Sequence, residues 1–510
     1  MLELEKMMKR FIIYLLCLAG IALLISCNSV TDVSPKGQKL ESNYYQTPDE
    51  VFSALVAAYN PIAWQTGGTD GTYIPILGPL NSATDECYAG GGGPNDMPSW
   101  HAWNDYDMSS AVGPQAGYWD RSYTGINRVN LLLQKMDGVK GLSSAMKSRY
   151  IAEAKFLRGY YYLWLVRLFR NIPLYTEPLK TSEIYKQKQV APDSVYAQIE
   201  RDFRAAIPDL PSAPLPTSEQ GRATKGAAQA FLAKTLMWEV GTGSNQAKMQ
   251  EAADLLEKVN TSPAYHLLNN YDDIFSPDNK FNAESIFEIT HTAAQQADWN
   301  SWGNFRGNVY VQMVGPRGYT GPTYNDGYGF NPITPKLVNA MKGDPRYQYT
   351  IANIDSIAQS GTASYDDSGY HNTGYFIKKF APLSKYTAQN GIAALNYPND
   401  YIEVRLAETY LLEAEALVRA NGDMSRAKTL LNDVRSRVGL SDVSPTLDNI
   451  YKEMYMELAT EGHRWFNLVR TGRAADVLKD EGFKKGVNEV LPIPLESLNN
   501  TELKQNDGYD

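Results

Sequence analysis

Two short stretches bring aromatic rings and hydrogen-bonding side chains together: SWHAWNDYD (99–107) and ADWNSWGNFRGN (297–308). A sugar ring presents a C–H face that packs on an aromatic plane, and its edge hydroxyls need Asn, Asp, Arg or backbone partners. Trp100, Trp103, Asn104, Trp299 and Trp302 are therefore the candidate glycan contacts. The same rings have a second possible use, because long loops need aromatic anchors to hold them against a scaffold. The tryptophans divide by context. Trp119, Trp164, Trp238 and Trp465 fall in helical patterns, whereas Trp64 and the four candidates fall in loop-rich stretches.

Catalytic chemistry has no comparable signature. HExxH, GxSxG and CxxC are all missing and the five His are scattered, so no catalytic residue, metal ligand or cofactor is assigned. A carboxylate pair for glycoside hydrolysis stays open, since 57 Asp and Glu are too many to sort by position alone. Gly90–Gly93 lacks the Lys-Ser/Thr ending and strand-to-helix setting of a phosphate loop, and reads as a mobile loop. A net charge of -9 without any basic block excludes the phosphate-neutralising footprint of nucleic-acid binding.

Lys9-Arg10, the apolar run FIIYLLCLAGIALLI and the small Ser26 lay out a secretory signal over residues 1–26. Glu3 and Glu5 sit badly in a basic leader, which makes Met7 or Met8 an alternative start. Leu24-Ile25-Ser26-Cys27 resembles the bacterial lipobox, so Cys27 is the expected lipid-attachment site; a plain signal peptide is the alternative. Each buried acyl CH₂ contributes ~0.8 kcal/mol, so several chains anchor stably where one does not. With Cys17 removed and Cys27 acylated, Cys87 has no partner, and the fold must rest on its core rather than on disulfides.

These side chains need elements to position them. Residues 27–47 are a polar tether, and a single domain over 48–510 begins near Pro48. Helical periodicity then recurs in pairs: 48–60 with 119–137, 147–170 with 193–207, 224–240 with 247–260, and 403–420 with 424–438. In the last pair Ala407, Leu411, Ala414 and Val418 share one face, and Ala427, Leu430, Leu431 and Val434 another. Gly422 is placed to end the first helix in the left-handed conformation, and Asp423 to cap the second. The fold class is mainly α, with tetratricopeptide-like hairpins over about 48–60, 119–260 and 401–472. Loop-rich insertions occupy about 61–118 and 269–400, and their aromatic content argues for order.

Several ordered motifs, namely the lipobox, AEAKFLRGYYYLWLVRLFRNIPL (152–174), DYIEVRLAETYLLEAEA (400–416), ELATEGHRWFNLVRTG (457–472) and LPIPLESLNNTELKQNDGY (491–509), resemble the SusD/RagB family over nearly the whole mature chain. The resemblance implies a helical-repeat scaffold carrying irregular insertions. It also implies a non-catalytic, lipid-anchored outer-membrane protein facing the cell exterior, which captures an oligosaccharide or other nutrient and delivers it to a SusC-like TonB-dependent transporter. The motifs themselves read as structural: Trp465, Phe466, Leu468 and Val469 form an apolar face, Glu461, His463 and Arg464 a buried polar cluster, and Tyr160, Tyr161, Tyr162 and Trp164 a core stripe. A surface glycoside hydrolase on a helical scaffold and a peptide-binding repeat scaffold are the competing readings.

Overall fold

The computed structural model describes residues 1, 3–11, 44–67, 75–294, 298–299 and 306–509. The expected lipid site Cys27, most of the expected leader and tether, and Trp302 lie outside the described residues.

The helical body starts at Thr47, whose hydroxyl accepts from the Glu50 N–H while the Glu50 carboxylate accepts from the Thr47 N–H. This reciprocal cap opens α1 (Pro48–Tyr59). After it come α2 (Gln115–Lys135), α3 (Ser144–Phe169), α4 (Pro192–Ala206), α5 (Lys225–Val240), α6 (Gln246–Asn260), α7 (Leu406–Ala420), α8 (Met424–Ser436) and α9 (Leu447–Glu457). From α1 to α8 each helix packs on the next, and α6 meets α7 across the whole second insertion. All four expected hairpins are present.

Among the described residues six short strands form three antiparallel pairs: β1 (Ile172–Pro173) with β2 (Gln189–Val190), β3 (Ser285–Ile289) with β6 (Tyr401–Arg405), and β4 (Ile351–Asn353) with β5 (Tyr375–Ile377). Strand β6 corrects a boundary, since helix was expected from residue 403. Tyr401, Ile402 and Val404 instead favour an extended strand, and Arg405 keeps extended geometry (φ -126°, ψ 161°) until α7 begins at Leu406. The turn before α8 is also corrected: Asn421 takes the left-handed conformation (φ 54°, ψ 38°), and Gly422 donates its N–H to the Leu417 carbonyl. Asp423 caps α8 as expected, its carboxylate accepting from the Arg426 N–H.

One apolar core extends from Val51 to Tyr509 and draws on the helices and both insertions. The aromatic stripe of α3 lies within it, with every polar handle partnered. Tyr160 and Trp164 donate to the two oxygens of Glu403 (2.6 and 3.1 Å), Tyr161 to the Ala58 carbonyl and Tyr162 to that of Tyr175. Polar groups buried with partners keep the stripe specific as well as apolar.

A buried ion network fastens the insertions to α9 and the turn after it. Arg405 bonds Glu457 at 2.6 Å and Glu461 at 2.8 Å, Arg346 bonds Glu453 and Glu457, Lys379 bonds Glu461 at 2.6 Å, and Arg437 bridges Glu284 and Glu457. Burial alone would raise the Glu457 carboxyl, but Arg437, Arg405 and Arg346 hold it well below the usual carboxylate range. The expected mutual cluster of Glu461, His463 and Arg464 does not form. Each reaches a different segment: Glu461 the network, His463 Glu408 at 3.4 Å, and Arg464 both oxygens of Asp85 at 2.9 Å.

Candidate functional site

The first candidate stretch folds as a short helix, Pro98–Asn104, entered through Met97 in the left-handed conformation. This aims Trp100 and Trp103 inward, and both are 0% exposed. Trp100 meets Phe330 edge-on at 5.1 Å and lies over Gly78, where any Cβ would collide with its ring. Trp103 sits between Tyr118 and Trp465 at 5.9 and 5.4 Å. Neither ring has a face left for a sugar, so the expectation that they are glycan contacts is corrected: they anchor the first insertion to the scaffold. Asn104 is likewise engaged, its carbonyl oxygen accepting from the Ala89 N–H at 2.8 Å and its amide donating to Asp105 at 2.6 Å.

The Gly90–Gly93 run is also held in place rather than mobile. Gly91 donates its N–H to the Gly329 carbonyl and accepts from the Tyr370 N–H, both at 2.9 Å, and the Gly92 N–H donates to Asp96. Gly90 and Gly91 have φ of 75° and 88°, and a side chain at Gly91 would strike Phe330.

The second candidate stretch belongs to a loop closed at its root, where the Thr292 N–H donates to the Arg306 carbonyl at 2.9 Å. His291 is the keystone of that root. Its Nδ1 lies 3.2 Å from the Arg306 carbonyl, which can only accept, so Nδ1 carries the proton and Nε2 accepts from the Thr66 hydroxyl at 2.6 Å. Its backbone N–H donates to Asp400 at 2.6 Å. Burial pushes the imidazole down to about 4, with Lys280 adding to the shift and the hydrogen bond to Arg306 opposing it. Asn396 donates to the Ala293 carbonyl, and Asn308 to that of Asn399, so residues 396–400 brace the same loop. Trp299 is half-buried against the core edge, the one candidate tryptophan among the described residues that keeps exposed surface.

The roles of Thr66 and His291 were not foreseen from sequence. The available signal was a histidine two residues past the strand that becomes β3, in EITHTAA. Among the described residues no group of three or more His, Cys, Asp or Glu side chains could hold a metal ion, and no helix is long and apolar enough to cross a membrane. Glu288 and Asp400 are a carboxyl pair that burial raises above the usual range, with Asp400 adding to the rise at Glu288. Both are committed to the scaffold, Glu288 accepting from the Phe281 N–H and Asp400 from Lys280 and His291.

The helical repeats and buried ion network define a scaffold protein that presents irregular insertions. A family profile described as the SusD family matches residues 283–509, and one described as starch-binding associating with outer membrane matches residues 90–237. A solved laminarin binding SusD-like protein is 40% identical, with a TM-score of 0.85 over 91% of this chain and 100% of that one. Surface glycan-binding protein A from Bacteroides thetaiotaomicron, solved in complex with laminarihexaose, is 26% identical with a TM-score of 0.82 over 90% of this chain and 100% of that one. SusD-like protein P25 of Formosa agariphila is 25% identical over 93% of this chain and 94% of its own length. The chain belongs to the SusD family.

Proposed function

We propose that this protein is a non-catalytic glycan receptor of the outer-membrane surface, that its ligand is a laminarin-type β-glucan, and that it passes the glycan to a SusC-like TonB-dependent transporter. The observation that carries the reading is the end-to-end similarity to the laminarin binding SusD-like protein. Trp299 and Trp302, on the loop rooted at His291, are the ring-stacking residues in this reading, and Cys27 holds the protein to the membrane through lipid. The commitment of Glu288 and Asp400 to backbone and lysine partners supports binding without hydrolysis, which needs two carboxyl groups free to face a scissile bond.

An aromatic contact contributes ~0.5–1.5 kcal/mol beyond the area it buries, so two stacked rings give weak, reversible capture. Weak capture suits a protein that must release its cargo onward. Calorimetry with laminarihexaose and maltohexaose, paired with chromatography of the recovered sugar, tests the proposal. Binding of the β-glucan without new reducing ends is expected. Preference for maltohexaose would replace the ligand, and release of shorter sugars would replace the reading with a hydrolase. Recovery of the protein from native membranes without a barrel partner would remove the delivery step.

A further inference from the structure

The first insertion, the second insertion and the C-terminal segment enclose a cleft of about 490 Å³ that shares no lining residue with the root of the Trp299 loop. Its size falls within the ~300–1,000 Å³ usual for small-molecule sites. One wall is a row of rings. His101, itself buried, meets Tyr370 edge-on at 5.2 Å; Tyr370 stacks on His371 at 4.0 Å with planes 22° apart; and His371 faces Tyr88 at 5.1 Å. Tyr88 and His371 line the cleft itself.

The row is fastened by backbone, with the Tyr370 N–H on the Gly91 carbonyl at 2.9 Å and the Tyr88 N–H on that of Pro332 at 3.0 Å. His371 is held at φ 53°, a left-handed conformation that costs a non-glycine residue free energy and that clusters at ligand sites. The scaffold therefore holds an exposed ring in a strained position. Burial and the neighbouring His101 keep its imidazole below the usual range, against the pull of Asp105, so the ring is neutral at pH 7.

Elsewhere the cleft is rich in acceptors. Asp105, Asp480 and Glu481 line it, with Lys336 as the single cation. That lysine is already engaged, donating to the Val477 carbonyl at 2.8 Å and to Glu481 at 3.3 Å, while Oε2 of Glu481 is buried without a hydrogen-bond partner. Such a lining accepts hydrogen bonds from hydroxyl groups and repels anions. Tyr88 and His371 add aromatic surface suited to the C–H face of a pyranose.

We propose that the cleft between Tyr88, His371 and Asp105 is a second carbohydrate-binding position, separate from the Trp299 loop and selective for uncharged hexose residues. It rests on the reading of this chain as a glycan receptor, and it provides a second point of attachment for a long chain. Two weak positions on one polymer raise avidity without tightening either contact, provided the chain can span them.

Hydrogen–deuterium exchange on the full mature protein separates the two positions. Laminarihexaose, cellohexaose and maltohexaose are each added at millimolar concentration, and trigalacturonate serves as the anionic control. Slower exchange is expected both at 290–308 and at 82–107 with 366–373. Tyr88→Ala, and the isosteric Asp105→Asn should the first misfold, weaken the cleft response about tenfold in sugar concentration and leave the 290–308 response unchanged. Protection at 290–308 alone overturns the second position and leaves the glycan-receptor reading intact. Protection at the cleft alone supports the second position and overturns the placement of the first. Equal protection of the cleft by trigalacturonate overturns its selectivity, and no protection at the cleft by any neutral sugar overturns the proposal.

Discussion

The Thr66 hydroxyl lies 2.6 Å from Nε2 of His291, although 225 positions separate the two residues in sequence. This contact joins the end of the first insertion's opening segment to the root of the loop that carries Trp299. Burial favours the neutral imidazole, which accepts from the Thr66 hydroxyl at Nε2.

A pH dependence follows. The folded imidazole titrates at about 4, below the ~6.5 of an unfolded chain, so between these values the unfolded state binds a proton that the folded state does not. The contribution of neutral His291 is complete above pH 6.5 and is lost as pH falls toward 4, by up to ~3 kcal/mol. Urea denaturation of the protein and of His291→Asn across this range checks the outcome. The stability difference between them should shrink at low pH, and a difference constant with pH would show that folding does not shift the His291 imidazole.

The tryptophans should separate by role. Trp100→Ala and Trp103→Ala each remove a fully buried ring and should cost ~3–5 kcal/mol, seen as a large fall in Tm. Trp299→Ala, at the core edge, should cost less stability but weaken β-glucan binding about tenfold, equivalent to ~1.4 kcal/mol. Melting and calorimetry on the three variants read both quantities. A glycan affinity untouched by Trp299→Ala would move the stacking role to another loop.

The contrast shows what the sequence could carry. Hairpin positions were legible because Ala407, Leu411 and Ala414 repeat at helical spacing and end buried. Helical spacing over residues 403–405 is overridden because strand pairing with Ser285–Ile289, more than a hundred residues away, decides their conformation. Trp100 and Trp103 looked like site residues because a loop aromatic carries no local sign of which way it points. That direction came from Met97 at φ 56° and the space left by Gly78. Tyr370 and His371 escaped notice although GYHN repeats the pattern of an aromatic residue beside an amide.

Anchoring gives an independent check. If Cys27 carries lipid, Cys27→Ala should leave the precursor uncleaved or shift the protein out of the outer-membrane fraction, with the melting curve of the folded body unchanged. Membrane fractionation and intact-mass measurement read this directly. Unaltered fractionation of the variant would rule out the lipid anchor.

Arg405 is the most exacting position for stability. It is 1% exposed, and its guanidinium serves Glu457, Glu461 and, at 3.5 Å, Glu284. Replacing it with Met keeps much of the volume but leaves those carboxylates short of a cation, a loss of ~3–5 kcal/mol for breaking a buried pair. With Arg405 gone, burial raises the glutamates' proton affinity in the folded state, so the variant should recover part of its deficit as pH falls toward the ordinary carboxylate range. Glu461 still has Lys379 at 2.6 Å, so the double variant Arg405→Met, Glu461→Gln should be less stable than Arg405→Met alone, because it strands the buried lysine. Urea denaturation of the single and double variants at pH 7 and pH 5 measures all of this. A single variant as stable as the parent at pH 7 would mean that packing, and not charge pairing, holds α9 and the turn after it to β6.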